Sequence, residues 1–274
     1  MSSRWFRPLV PLGIFSAVAT LIYLDPLFSR NKLIGFHLSD IEYMYFPWRH
    51  FLTTELLDHH ALPFWNPYVF CGAPFLANIQ ANLFYPPAIP TFFLSPSFGI
   101  PLSIVFHHIL GGLFTFLLCR SFKVSVSGAI IGGLIFSFFS GLFRLGTYYG
   151  GLTGIQTIVW FPLLLYSFKK AMDTEDIRYC LLTGCTIALQ ILAGDPESAL
   201  FSQVGLLCYA LLSALLAYFA ARGPGLAIRL RWRGPWPLFT ARRDPALTGL
   251  TRRMAYLVLA FAVGYSLPAL QLLP

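Results

Sequence analysis

The sequence predicts an all-α polytopic membrane fold, and three observations predict it. The 274 residues are 57% hydrophobic and only 11% charged, with a mean hydropathy of +0.67, whereas a soluble domain carries about 25% charged residues. Seven apolar stretches, at residues 8–24, 100–118, 124–143, 152–168, 179–193, 199–221 and 254–273, contain almost no charge. The charges that exist are sorted between alternate connections. Disorder, a collagen-like repeat and a disulfide-stapled secreted scaffold are excluded by the same composition.

Each stretch is justified by length. Hydrocarbon about 30 Å thick asks for roughly 20 apolar residues at 1.5 Å of helical rise. The stretch at 179–193 is the shortest and reaches that length only by continuing into neighbouring polar residues. The first, at 8–24, follows Arg4 and Arg7 and contains Ala17-Val-Ala19, which has the look of a signal-peptide cleavage site. Its apolar run continues through Leu24, favouring an uncleaved anchor. Gly128-x-x-x-Gly132 with Gly133 in the third stretch, and Gly111-Gly112 in the second, are read as close helix packing.

Sidedness follows from the cations. Arg4, Arg7, Arg120, Lys123, Lys169, Lys170, Arg178 and the Arg-rich segment 222–253 fall on one side, which places the N-terminus in the cytoplasm. The segment 25–99 and the turns near 144–151 and 194–198 fall on the other, with most of the acids. The net charge of +8 therefore writes topology and attraction to anionic lipid, and does not mark a nucleic-acid surface. The five cysteines are odd in number and have no zinc spacing. They read as small buried apolar residues. The expected organisation is one membrane domain, 1–274, with 25–99 an outer loop and 222–253 a basic cytoplasmic loop.

The segment 25–99 is far longer than neighbouring spans need for a connection. Residues 47–60 read as a helix opened by Pro47, with Phe51, Leu52, Leu56 and Leu57 as an apolar stripe and Glu55, Asp58 and His59 facing elsewhere. Such a helix lies in the plane of the membrane interface. A Pro-rich, aromatic, amide-bearing run follows through Tyr85-Pro-Pro87, and loops of this kind carry function on rigid scaffolds.

Asp40 followed by Tyr45-Phe-Pro-Trp-Arg49, then Leu62-Pro-Phe-Trp-Asn-Pro-Tyr68, Gly72-Ala-Pro74, Asn78-Ile-Gln80 and Tyr85-Pro86, resembles the bacterial YfhO-type integral membrane protein family. That family is similar to the GT-C class of polytopic glycosyltransferases. Ala193-Gly-Asp-Pro-Glu197 resembles a family motif expected to read Gly-His-Pro-Gln, with Asp195 and Glu197 in place of the His and Gln. Family members continue through further spans, so the resemblance covers their N-terminal portion and implies a chain truncated at its C-terminus.

The resemblance implies transfer of a sugar from a polyprenyl-phosphate donor to a cell-envelope acceptor, on the outer face of a bacterial inner (plasma) membrane. An acceptor hydroxyl needs a carboxylate base, and Asp40 matches the acid that GT-C enzymes place in the first outer loop. Glu42 is its nearest acidic neighbour. Arg49, and next Arg144, suit the leaving phosphate. Trp48 and Trp65 suit a pyranose face, and Asn66, Asn78 and Gln80 suit sugar hydroxyls. Asp195 and Glu197 are acids at membrane depth.

Plainer roles stand beside these: capping for Asp40, Asp195 and Glu197, snorkelling for Arg49, and interfacial anchoring for the tryptophans. For His107 and His108, packing with a backbone hydrogen bond is the simpler reading. No metal motif is evident, and a divalent ion near Asp40 and Glu42 stays open. The competing functions are a lipid or small-solute transporter and a non-catalytic remnant or assembly subunit.

Overall fold

The computed structural model describes residues 6–29, 34, 39–139, 151–221 and 246–269. Apart from one short hairpin, these residues build an all-α fold. Helix α1 (Phe6–Ile22) is followed by a short α2 (Leu24–Phe28). A π-helical turn (Ile41–Tyr45) runs directly into α3 (Phe46–Leu57). Strands β1 (Trp65–Asn66) and β2 (Ala73–Pro74) pair antiparallel, and two 3₁₀ turns (Ile79–Ala81, Ile89–Phe93) lead into α4 (Pro96–Ser121). Then come α5 (Val126–Leu134) with a π turn (Ile135–Phe139), α6 (Leu152–Ile158), α7 (Phe161–Thr174), α8 (Ile177–Leu192), α9 (Pro196–Ala221) and α10 (Ala246–Ser266).

All seven apolar stretches are thus helical where described, and local signals explain their ends. Pro96 and Pro162 sit in first turns, where a missing N–H costs nothing. Ser125 and Asp176 accept backbone N–H bonds from Gly128 and Arg178 to start α5 and α8. One stretch departs from the expectation of an unbroken span. Residues 152–168 divide at Val159–Trp160 into α6 and α7, because Pro162 has no N–H for the Ile158 carbonyl and its ring crowds that carbonyl.

Two helices, Pro96–Ser121 and Pro196–Leu216, are long and apolar enough to cross a membrane, and shorter apolar helices occur at Leu9–Ile22, Val126–Phe139, Ile177–Leu192 and Arg253–Ser266. Only 44% and 33% of the two long windows is buried, unlike the core helix of a soluble protein. The polarity of α9 is inverted: Leu200, Phe201, Val204, Leu207 and Leu211 are exposed, while Ser202, Gln203 and Ser213 are buried. Water penalises that arrangement and lipid favours it.

Helix α4 packs against α1, α5, α6 and α7. The contact of α1 with α4 and α5 depends on glycine, since a Cβ on Gly112 or Gly133 would run into the Phe15 ring. In the Gly128-Gly132-Gly133 group, therefore, Gly133 makes the close interhelical approach, while Gly128 meets only its own cap residues. Helices α8 and α10 meet in the same way, with Gly184 against Val263 and Gly264 against Ile187. The cysteines depart from the expectation of burial. Only Cys180 is buried; Cys71, Cys185 and Cys208 are exposed, the last two on apolar helices whose outer faces are themselves apolar.

The segment 25–99 is not a detached loop. Its Ile41, Tyr45, Leu52, Phe75, Tyr85 and Phe92 share one core with Ile100 and Ile104 of α4, Leu152 and Ile155 of α6, and Trp160. A second core, built on Leu164, Phe168, Ile187, Leu206 and Leu257, ties α7 to α10.

Candidate functional site

The site forms where the 41–57 helical run lies on one end of the α4–α6 pair. Its floor is polar. Arg49 is 5% exposed, and its Nη2 donates to Asn82 Oδ1 at 3.4 Å. Guanidinium can only donate, which orients everything beyond it. Asn82 presents oxygen to Arg49 and donates its Nδ2 to Gln156 Oε1 at 2.5 Å. Gln156 Nε2 in turn donates to Ser103 Oγ at 2.9 Å. A chain of one polarity therefore runs from the long segment into α6 and α4.

A second branch is fixed by His107. Its Nδ1 lies 2.6 Å from the Ser103 carbonyl and so carries the proton, leaving Nε2 to accept from the Tyr85 hydroxyl at 2.7 Å. Trp160 Nε1 donates to the same hydroxyl at 2.8 Å. Tyr45 Oη and Thr153 Oγ1, 2.7 Å apart, add a third tie between the long segment and α6. His108 bonds Tyr23 at 2.9 Å and stacks between Tyr23 and Phe138. His107 thus makes the backbone bond that the simpler reading assigned to this pair. Burial raises the Tyr85 hydroxyl well above its ordinary range, with the Trp160 bond opposing it.

Arg49 is where the floor is incomplete. Among the described residues no carboxylate pairs with it and its Nη1 has no hydrogen-bond partner, while its guanidinium lies 4.3 Å from the centre of the Phe92 ring. Burial pushes its pKa down to about 9. Beside it is a void of about 10 Å³ lined by Tyr45, Trp48, Leu52, Phe75, Gln80 and Ala81, room for one water-sized group. Arg49 does not snorkel; it faces inward.

Two of the acids act on Tyr45 through their charge. Asp40 is exposed at the start of the π turn, and its side chain caps no helix N–H. Burial raises the Tyr45 hydroxyl pKa and the Thr153 bond opposes this, while the charges of Asp40 and Asp195 both add to the rise. The two carboxylates are therefore within electrostatic reach of one hydroxyl. Glu42 is partly buried on the same turn. Asp195 also caps α9, its Oδ1 accepting from Ser198 N at 3.3 Å and its Oδ2 from Ser198 Oγ at 2.7 Å, and Glu197 is exposed in the first turn of that helix.

Gly194 brings the two motif regions together. It has φ +89°, and a Cβ there would collide with the Ile79 carbonyl and crowd Gln80. The turn at 193–195 is consequently seated on the turn at 78–81. Asn66 and Asn78, two of the residues assigned to sugar binding, each use the side-chain oxygen in a local turn. Asn78 Oδ1 accepts from Gln80 N at 3.1 Å, and buried Asn66 accepts from Tyr68 N at 2.9 Å. These are side-chain turns of the kind Asn favours. Trp65 is exposed on the hairpin, with its ring over Gly72, and does not line the void. Gln80 does.

Arg144 and segment 222–245 lie outside the described residues. Among the described residues no group of three or more His, Cys, Asp or Glu is placed to hold a metal ion. The residues that sequence reasoning passed over are Asn82, Ser103, Gln156 and Tyr45. Gln156 had a signal, being an amide inside an apolar stretch.

Fold and site together define an all-α protein with two helices long and apolar enough to cross a membrane and a buried polar network that runs from Arg49 to Ser103. No family model matches the chain, and no curated protein or solved structure is significantly similar to it.

Proposed function

We propose that this protein is a multi-pass glycosyltransferase of the bacterial inner membrane. All seven apolar helical stretches span, the N-terminus is cytoplasmic, and a sugar is moved from a polyprenyl-phosphate donor to a cell-envelope acceptor on the outer face. The observation that carries the reading is the buried Arg49 with an unfilled Nη1, in the helical run that opens at the exposed carboxylate of Asp40. Asp40 is the general base, because its carboxylate is exposed and spends no oxygen on a helix cap, whereas Asp195 is committed to Ser198. Arg49 is the electrostatic partner of the leaving phosphate, acting as a buried positive charge in a low-dielectric site, since the void beside it admits only a water-sized group. Glu42 flanks the base, and Gln80 at the rim of the void is the remaining amide for a sugar hydroxyl.

The test is transfer from a radiolabelled polyprenyl-phosphate sugar in proteoliposomes by wild type and by Asp40→Asn. Loss of transfer by the variant, with unchanged insertion and unfolding midpoint, supports the reading. Equal transfer by both proteins removes Asp40 from the chemistry.

A further inference from the structure

No Asp, Glu, Lys or Arg occurs between Asp58 and Arg120. That interval includes the β1–β2 hairpin, both 3₁₀ turns and nearly all of α4, which is one of the two helices able to cross a membrane. A loop facing water has no reason to shed every charge. The hairpin goes further: Leu62, Phe64, Trp65, Tyr68 and Phe70 are all exposed, Tyr68 at 84% and Phe70 at 92%. Phe70 and Cys71 also hold left-handed backbone, with φ of 52° and 61°. A bulky residue seldom does so without compensation, and here the conformation leaves the Phe70 ring projecting from the tip.

Part of the hairpin backbone is closed on itself. Pro63, Pro67 and Pro74 have no N–H to satisfy. Tyr68 N–H goes to Asn66 Oδ1 at 2.9 Å, Gly72 N–H to Val69 O at 2.8 Å, and Phe75 N–H to Phe64 O at 2.9 Å. Absence of charge and protruding aromatic rings are what the membrane boundary region, where polar groups can still find partners, accepts from irregular chain. The hairpin is braced from behind, with Phe51 of α3 edge-on to Tyr68 at 6.0 Å and to Phe75 at 5.1 Å.

We infer that the 62–75 hairpin is a membrane-inserted wedge, its exposed aromatic side chains seated in the headgroup and upper acyl region of the leaflet at that end of the helices. The partner is the lipid surface. This rests on the membrane-spanning reading of the chain and not on the transferase chemistry. Its consequence for that chemistry is positional, since the wedge holds α3 and Arg49 at the depth where a lipid-linked phosphate lies.

Cys71, exposed at the tip, is a native reporter. With Cys119, Cys185 and Cys208 replaced by Ala, and buried Cys180 left in place, Cys71 is labelled with an NBD fluorophore. The protein is then reconstituted in phosphatidylcholine–phosphatidylglycerol vesicles. The expected result is blue-shifted emission, quenching by lipid doxyl-labelled near the headgroup, and iodide quenching several-fold weaker than for a label at His59→Cys, an exposed position beside charged residues. Adding Phe70→Glu is expected to bring iodide quenching up toward the His59→Cys level. Free iodide access at Cys71 overturns the inference, and so does shielding from both quenchers, which would mean a protein or a second copy covers the hairpin. A Cys208-only protein, labelled on the exposed face of α9, separates the failures. Lipid quenching at Cys208 without it at Cys71 rejects the wedge alone, and its absence at both rejects the membrane reading as well.

Discussion

Replacing Arg49 by Met is expected to stabilise the protein while abolishing its function, the reverse of what a structural arginine does. The folded-state pKa of Arg49 is about 9, well below its ordinary value, because burial penalises the charged form. At about 1.4 kcal/mol per pH unit, that depression is a cost of about 4–5 kcal/mol to the charged folded state. Below pH 9 both states hold the proton, the unfolded chain more tightly, so the cost is present in full at pH 7. Above pH 9 the folded protein releases its proton before the unfolded chain does, and stability rises with pH.

Methionine fills a similar volume without charge. Against the relief stand the lost donor to buried Asn82 Oδ1, about 1–3 kcal/mol, and the lost contact with the Phe92 ring, about 0.5–2 kcal/mol. The net expectation is a gain of about 1–2 kcal/mol in reversible mixed-micelle unfolding at pH 7. A loss of about 2 kcal/mol or more would refute the reasoning, because it would mean that contacts within the fold fully compensate the guanidinium. Arg49 would then be an ordinary structural residue.

Three further outcomes follow from the same geometry. Gln156→Leu strands both Asn82 Nδ2 and Ser103 Oγ and is expected to cost about 2–4 kcal/mol in the same unfolding assay; a cost near zero would mean the chain from Arg49 to Ser103 is not formed. Gly194→Ala needs left-handed backbone and drives a Cβ into the Ile79 carbonyl, so it is expected to lose about 1–3 kcal/mol and to speed hydrogen exchange in the turn at 78–81, while an unchanged protein would separate the two turns. Pro162→Ala restores the missing donor at the α6–α7 break, and a disulfide or spin-label distance across Val159–Trp160 is expected to report a straighter helix; an unaltered distance would assign the break to tertiary packing.

Much of the helical fold was legible because a long apolar stretch is most simply a helix, which satisfies its own backbone, so seven stretches could be read from hydropathy, and Pro47 marked a start. The starts at Pro96 and Ser125 lie outside or at the edge of the apolar runs and came only from the structure. Hydropathy is blind to backbone chemistry, and for that reason the break before Pro162 was hidden inside an apolar run. The helix near 47–60 was visible, but not its orientation. The sequence offers Arg49 as a phosphate partner or as a snorkelling cation, and it is buried because Asn82 and, beyond it, Gln156 receive it. No local signal links those three positions. Asn66 and Asn78 are nearer the opposite limit: each accepts from the backbone N–H two residues on, a partner that sequence spacing alone displays.

The central claim is that Asp40, and not Asp195, is the base, with Arg49 facing the leaving phosphate. The direct measurement compares single-turnover sugar transfer by Asp40→Asn and Asp195→Asn against wild type, in proteoliposomes saturated with polyprenyl-phosphate sugar. The account expects Asp40→Asn to lose about 10²–10⁴-fold in rate with an unchanged unfolding midpoint. Asp195→Asn is expected to keep most of its rate and to lose about 0.5–1 kcal/mol of stability through its weakened cap on α9. Equal rates for Asp40→Asn and wild type, or a larger loss of rate in Asp195→Asn, would contradict it.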